Sequence, residues 1–186
     1  MSESLTVGVF GGSFNPPHVA HLLAVTYVLA TSPIDRVLVV PCYDHPLGKS
    51  LAPFVHRKAM CERAFADVSR VEVSSIEQEM GATSRTLYTL QELLRRNPGW
   101  SLRLIVGADI LDEKDKWFGW DEIERLAPPI VLGRIGFGDD RGLVRVLPEV
   151  ASRDVRAQLG RGEDVSAVVP RTVVTYARAN GLYTVT

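Results

Sequence analysis

The sequence predicts an α/β protein, a doubly wound parallel sheet with a small C-terminal helical annex, and three observations carry that prediction. Short valine-rich apolar runs alternate with longer stretches of helical composition. The first run, Leu5 to Phe10, closes on Gly11-Gly12 and feeds directly into a helix. Beyond Pro148 the strand-like runs cease and helical stretches take over.

Each element follows from its residues. Leu5 to Phe10 is short, apolar in the main and rich in valine, the pattern of a buried parallel strand. Pro16-Pro17 open a helix from His18 to Ala30, because the first turn does not use the N–H that proline lacks. Arg36 to Val40, stopped by Pro41, is a second buried strand whose closeness to the first implies a right-handed parallel crossover. After a loop from Pro41 to Pro53, Phe54 to Ala66 spaces its apolar residues for a helix, and Val71 to Val73 makes a short strand. Thr86 to Arg96 is a helix ended by Asn97-Pro98-Gly99. Leu102 to Val106 and, after Pro128-Pro129, Ile130 to Leu132 are further core strands. Gly133 to Gly142 is glycine-rich and reads as a mobile loop. Ser152 to Leu159 and Arg171 to Ala179 are helices, the second closed by Asn180-Gly181. The expected organisation is one domain over residues 1–186, with an α/β core over 1–147 and a helical subdomain over 148–186, a length that one core can fill.

Composition narrows the function class. With 46% hydrophobic and 23% charged residues the chain can offset the entropy of ordering, which excludes disorder. A net charge of −1 provides no global attraction to a nucleic-acid backbone. Cys42 and Cys61 are too few for a disulfide framework and sit in no metal-ligand pattern, as expected for reduced thiols in a cytoplasmic protein. Met1-Ser2-Glu3 runs into a strand without an export signal, and no segment approaches the roughly 20 apolar residues of a membrane helix. The expected partners are small molecules, with neither nucleic acid nor membrane; homo-oligomerisation is compatible with the sequence.

The densest chemical signal runs from Gly8 to His21. It sets a glycine turn, the Ser13 hydroxyl and two imidazoles between a first strand and its helix. In open α/β sheets ligands sit at the carboxyl ends of strands, and a helix N-terminus adds N–H groups and about half a positive charge. The pattern describes a phosphate site. His18 and His21, three apart, project from one side of the first turn and can donate to phosphoryl oxygens as charge grows in a transition state. Alternatively, one of them caps the helix. A zinc site is disfavoured because no third ligand lies in a matching local pattern. The segment is neither Gly-x-x-x-x-Gly-Lys-Ser/Thr nor Gly-x-Gly-x-x-Gly, which weakens kinase and dehydrogenase readings.

The stretch Gly11-Gly12-Ser13-Phe14-Asn15-Pro16-Pro17-His18-Val19-Ala20-His21 resembles the first signature of the nucleotidylyltransferase superfamily, most closely that of bacterial nicotinate-nucleotide adenylyltransferases. Ile105 to Asp109, Lys116-Trp117 and Trp120 to Ile123 resemble that family's Gly-x-Asp strand end and Trp-bearing stretch. Pro129 to Arg134 resembles its Ile-Val-x-x-Arg strand, and Val169-Pro170 through Tyr176 to Asn180-Gly181-Leu182-Tyr183 its C-terminal ending. The resemblance implies a Rossmann-like nucleotidyltransferase fold. It implies that His18 and His21 are catalytic and that Gly11, Gly12, Ser13, Phe14, Gly107, Asp109, Arg134, Ser152 and Arg156 join them around ATP. Ser13, Lys49, Arg85, Thr86 and Trp117 would face the acceptor, and Mg²⁺ would be held mainly through the ATP phosphates. Read without the family, Asp109 is equally a helix N-cap after a strand, and Trp117 equally a core residue.

This chain departs from the family pattern at several points. His-x-Gly-His becomes His18-Val19-Ala20-His21, a change that alanine's helix preference tolerates. Ile-Ser-Ser-Thr-x-Ile-Arg aligns with Val150-Ala151-Ser152-Arg153-Asp154-Val155-Arg156, which keeps Ser152, read as an N-cap, and Arg156. The Asn-rich, Pro-Pro-His type segment becomes Cys42 to Ser50, where Lys49 is a candidate phosphate partner, and Ser-Tyr-Thr becomes Ser84-Arg85-Thr86, where Arg85 could grip a carboxylate. The expected function is adenylyl transfer from ATP to nicotinate mononucleotide, giving nicotinate adenine dinucleotide and pyrophosphate, a step of NAD biosynthesis. The alternatives are an adenylyl- or cytidylyltransferase of the superfamily with another phosphorylated acceptor, or a catalytically silent nucleotide-binding regulator.

Overall fold

A computed structural model describes residues 4–44, 50–81, 85–134 and 145–184. Strands β1 (Leu5–Gly12), β2 (Arg36–Pro41), β3 (Val71–Val73), β4 (Trp100–Gly107), β5 (Pro129–Arg134) and β6 (Arg145–Leu147) form a six-stranded sheet in the order β3-β2-β1-β4-β5-β6. Every neighbouring pair is parallel. The chain builds outward from β1 to β3, returns to β1's other side at β4, and builds outward again, so its winding reverses between β1 and β4.

The unbroken apolar run of β2 has a simple cause. Val37 and Val39 join the core cluster on one face of the sheet, while Leu38 and Val40 join the cluster on the other. A strand covered on both faces has no polar side to show. Central β1 divides likewise: Val7 and Val9 are buried in the second cluster, whereas a Cβ at Gly8 would lie 2.9 Å from Ile105 Cδ1 and 3.3 Å from Val37 Cγ2 on the first. Gly8 is therefore the residue that lets those side chains close over the strand.

Helices α1 (Val19–Thr31), α2 (Phe54–Phe65), α4 (Thr86–Arg96), α7 (Ser152–Gly160) and α8 (Arg171–Ala179) follow the sequence expectation to within about two residues. Four short helical segments do not: α3 (Ile76–Met80), α5 (Ile110–Glu113), the 3-10 turn at Lys114–Lys116 and α6 (Trp120–Leu126). Strand β6 is likewise additional. Segments this short do not hold in water by themselves, so their own sequence carries little periodic signal; α6 is held by burying Trp120 and Ile123. Residues 135–142 of the glycine-rich stretch lie outside the described residues.

The C-terminal helices share the core of the sheet. Val155, Val165, Val169, Val173, Val174 and Ala177 pack in one cluster with Val25 and Val28 of α1 and Val37 and Val39 of β2. Helix α8 lies on α2, where the Thr172 hydroxyl donates to the Arg63 carbonyl at 3.2 Å and the Arg63 guanidinium sits 4.1 Å over the Tyr176 ring.

Candidate active site

At the reversal, the glycine ends of β1 (Gly11-Gly12) and β4 (Gly107) face the same edge of the sheet, and the loop Ser13–Pro17 leads from β1 into α1. Phe14 takes a left-handed φ of 45° and buries its ring, which lies 3.2 Å from where a Gly12 Cβ would stand. The missing side chain at Gly12 thus makes room for Phe14 beneath the loop. Phe14, expected at ATP, is a core side chain with 1% exposure, so its contribution to the site is the backbone turn it anchors.

His18 is the N-cap of α1 in extended conformation, not its first helical residue. His21 stands above it with the rings stacked at 3.8 Å and 28°. The two imidazoles thus meet on one side of the helix start, as their spacing predicts. The His21 Nδ1 accepts the His18 backbone N–H at 3.0 Å. A neutral imidazole that accepts at Nδ1 carries its proton on Nε2, so His21 is set to donate from Nε2. The expectation that the helix N-terminus offers free N–H groups needs correction. His18 N–H goes to His21 and Val19 N–H to the Val168 carbonyl at 2.9 Å, so these two are already satisfied.

Helix α7 docks onto this loop from the far end of the chain. Ser152 donates its hydroxyl to the Pro16 carbonyl at 2.9 Å, and Arg156 Nη1 donates to the Asn15 carbonyl at 2.7 Å. The N-cap of α7 is Ala151, and Ser152 is the first helical residue. The capping role expected of Ser152 is therefore absent, because the residue stands one position past the cap; its hydroxyl donates to the Pro16 carbonyl instead. Arg153 is exposed and within 3.3 Å of Asp154.

Asn15, buried to 2% exposure, takes the Tyr183 hydroxyl at 2.8 Å and the Ala52 N–H at 3.2 Å on its Oδ1. Arg57, at 1%, donates from Nε to the Ala52 carbonyl (2.8 Å), from Nη1 to the Ser13 carbonyl (3.0 Å) and from Nη2 to the Tyr43 carbonyl (3.2 Å). Beside it opens a cavity of about 280 Å³ lined by Tyr43, Asp44, Ser50 and Phe54 among others. Burial raises the Cys42 thiol against the opposing pull of Arg57, and burial raises the Tyr183 phenol against Arg156 and Arg57. Arg57, Asn15 and Tyr183 were not among the expected site residues. The signal for Arg57 was available, since it falls on the apolar face that α2 buries with Phe54, Cys61 and Ala64.

The end of β4 carries Gly107 and Asp109. Asp109 is the N-cap of α5 by position, yet its side chain makes no cap hydrogen bond. Its carboxylate folds back over Gly107, where an added Cβ would collide with Oδ1. Arg85, Thr86 and Trp117 belong to a second group. Arg85, the N-cap of α4, lies 4.6 Å over the Phe118 ring, with the Tyr88 ring 5.6 Å from Phe118. Thr86 begins α4, and half-buried Trp117 meets Trp120 edge-on at 5.8 Å. Lys49 and the side chain of Arg134 lie outside the described residues. Among the described residues no three His, Cys, Asp or Glu side chains gather as a metal site, and no helix is long and apolar enough to cross a membrane.

A family model described as cytidylyltransferase-like matches residues 9–167. The chain is 44% identical over 186 residues to a probable nicotinate-nucleotide adenylyltransferase of Anaeromyxobacter sp. (strain K), covering 98% of this chain and 99% of that one. It is also 44% identical to the probable nicotinate-nucleotide adenylyltransferase of Myxococcus xanthus (strain DK1622), covering 98% and 97%. Its fold matches that of Plasmodium falciparum nicotinic acid mononucleotide adenylyltransferase complexed with NaAD, with a TM-score of 0.83 at 18% identity over 96% of this chain and 97% of that one.

Proposed function

The chain belongs to the cytidylyltransferase-like family of nucleotidyltransferases, and from that premise we propose that it transfers the adenylyl group of ATP to nicotinate mononucleotide, releasing pyrophosphate. The observation that carries this reading is the stacked His18–His21 pair at the end of β1, with the His21 Nδ1 accepting the His18 N–H beside a loop that α7 holds through Ser152.

In the proposed reaction an acceptor phosphate oxygen attacks the α-phosphorus, the bond to the β-phosphoryl oxygen breaks, and pyrophosphate leaves in line. The nucleophile is already an anion, so no general base is required; positioning and charge stabilisation supply the rate. His21 donates to an α-phosphoryl oxygen as charge grows there, and His18 supports it from the stacked ring. The first backbone N–H groups of α7, with Arg156, face the β,γ-phosphates. Asp109 lies against the ribose of the nucleotide, while Arg85, Thr86 and Trp117 serve the acceptor. Mg²⁺, held through the triphosphate, would supply charge neutralisation to the leaving pyrophosphate. The donor set fits that arrangement, being rich in imidazole, guanidinium and N–H groups, with Asp109 as its one named carboxylate. We place the protein in the cytoplasm, where its two free cysteines stay reduced.

Gly107→Ala tests the nucleotide side. The new methyl must push the Asp109 carboxylate aside, so KM for ATP should rise several-fold while the melting temperature changes little. An unchanged KM removes Asp109 from the ATP site. The acceptor is tested by pyrophosphate release with Mg²⁺-ATP or Mg²⁺-CTP and nicotinate mononucleotide, its amide, phosphopantetheine or no acceptor. Turnover confined to ATP with nicotinate mononucleotide is expected. Preferred turnover of another acceptor or of CTP assigns a different transfer, and nucleotide binding without release assigns a silent regulator.

A further inference from the structure

We infer that Arg57 is a positioning residue that fixes the spacing between the phosphate loop after β1 and the turn after β2 at Cys42-Tyr43, and so governs turnover more than the binding of either substrate. The inference rests on the adenylyl-transfer reading above. Arg57 occupies the buried face of α2 among Phe54, Met60, Cys61, Ala64 and Phe65, where packing alone calls for an apolar side chain. A buried cation is costly unless its hydrogen bonds are met. Among the described residues the hydrogen-bond partners of this guanidinium are all uncharged: the carbonyls of Ala52, Ser13 and Tyr43 and, at 3.8 Å, the Cys42 sulfur. They come from different segments: Ser13 from the loop after β1, Cys42 and Tyr43 from the turn after β2, Ala52 from the approach to α2.

Tyr43 is gripped from its other side as well. Glu77, buried to 8% exposure, accepts the Tyr43 N–H at 3.0 Å on Oε2 and the Thr89 hydroxyl at 3.0 Å on Oε1. The turn at Tyr43 thus hangs between a fixed cation on α2 and a fixed anion on α3. The cation continues to Ser13, and Cys42 N–H meets the Gly12 carbonyl at 2.9 Å. A planar fork can hold separate carbonyls at fixed angles, whereas an ammonium is a point donor on a flexible stem. Shifting two bound reactants by about 1 Å is enough to cost roughly 10²-fold in rate.

The test measures kcat and both KM values of the full chain for wild type, Arg57→Lys and Arg57→Ala, with thermal melting to give the folded fraction. Arg57→Lys should lower kcat tenfold or more per folded molecule, with both KM values within threefold of wild type. In Arg57→Ala, added guanidinium should restore part of the lost kcat and ammonium should not. Wild-type kcat in Arg57→Lys, a loss confined to KM, or a loss equal to the unfolded fraction would each overturn the inference while leaving adenylyl transfer standing. A wild-type protein that turns over none of the candidate acceptors overturns the functional reading and this inference with it.

Discussion

His21→Ala is expected to lower kcat by about 10²–10³-fold, the usual loss when one preorganised donor to a developing charge is removed. The side chain also serves the structure, since its Nδ1 accepts the His18 N–H and its ring packs 4.9 Å from Phe14. Two further substitutions separate these roles. An asparagine can place its side-chain oxygen near the Nδ1 position, so His21→Asn keeps the bond to His18 without the outer donor. A glutamine amide reaches the region of Nε2, so His21→Gln keeps the donor at the expense of that bond. Single-turnover measurements should find His21→Asn folded but nearly as slow as His21→Ala, with His21→Gln the most active of the three. Wild-type turnover in His21→Asn would show that His21 acts through the loop alone.

Asn15→Ala is expected to cost about 2–4 kcal/mol of stability. Its Oδ1 holds the Ala52 N–H and the Tyr183 hydroxyl in a buried position, and an unsatisfied buried donor costs about 1–3 kcal/mol. For a chain of this size that corresponds to a fall in melting temperature of roughly 5–15 °C. Tyr183→Phe removes one donor together with its hydroxyl and should cost only about 1 kcal/mol. In the double variant the two losses should sum to less than their separate values, because both break the same bond. Simple addition in chemical denaturation would mean that the Asn15–Tyr183 bond contributes no coupling between the loop and the C-terminus.

The parts of the fold readable in the sequence are those whose cause is local. The valine run of β2 needs nothing beyond burial on both faces, and the glycine turn after β1 states its backbone requirement in its composition. The stacking of His18 on His21 follows from a spacing of three on a helix start. What could not be read depends on distant partners. Ser152 looks like a cap to any local rule, yet it falls just inside the helix, and its hydroxyl donates to a carbonyl 136 residues away in sequence. The N–H of Val19 goes to Val168, which no property of the first motif announces. Helices α3 and α6 exist because the sheet gives Ile76, Trp120 and Ile123 somewhere to be buried. Arg57 is an intermediate case: its charge violates the apolar face of α2, and the violation was visible although its carbonyl partners were not.

The most direct measurement is the identity of the product. Wild-type protein incubated with Mg²⁺-ATP and nicotinate mononucleotide should yield, by mass spectrometry and ³¹P NMR, one pyrophosphate-bridged dinucleotide and one free pyrophosphate per turnover. Formation of ADP, or of AMP and pyrophosphate with nicotinate mononucleotide left intact, would place the broken bond or the acceptor elsewhere and contradict adenylyl transfer to this mononucleotide.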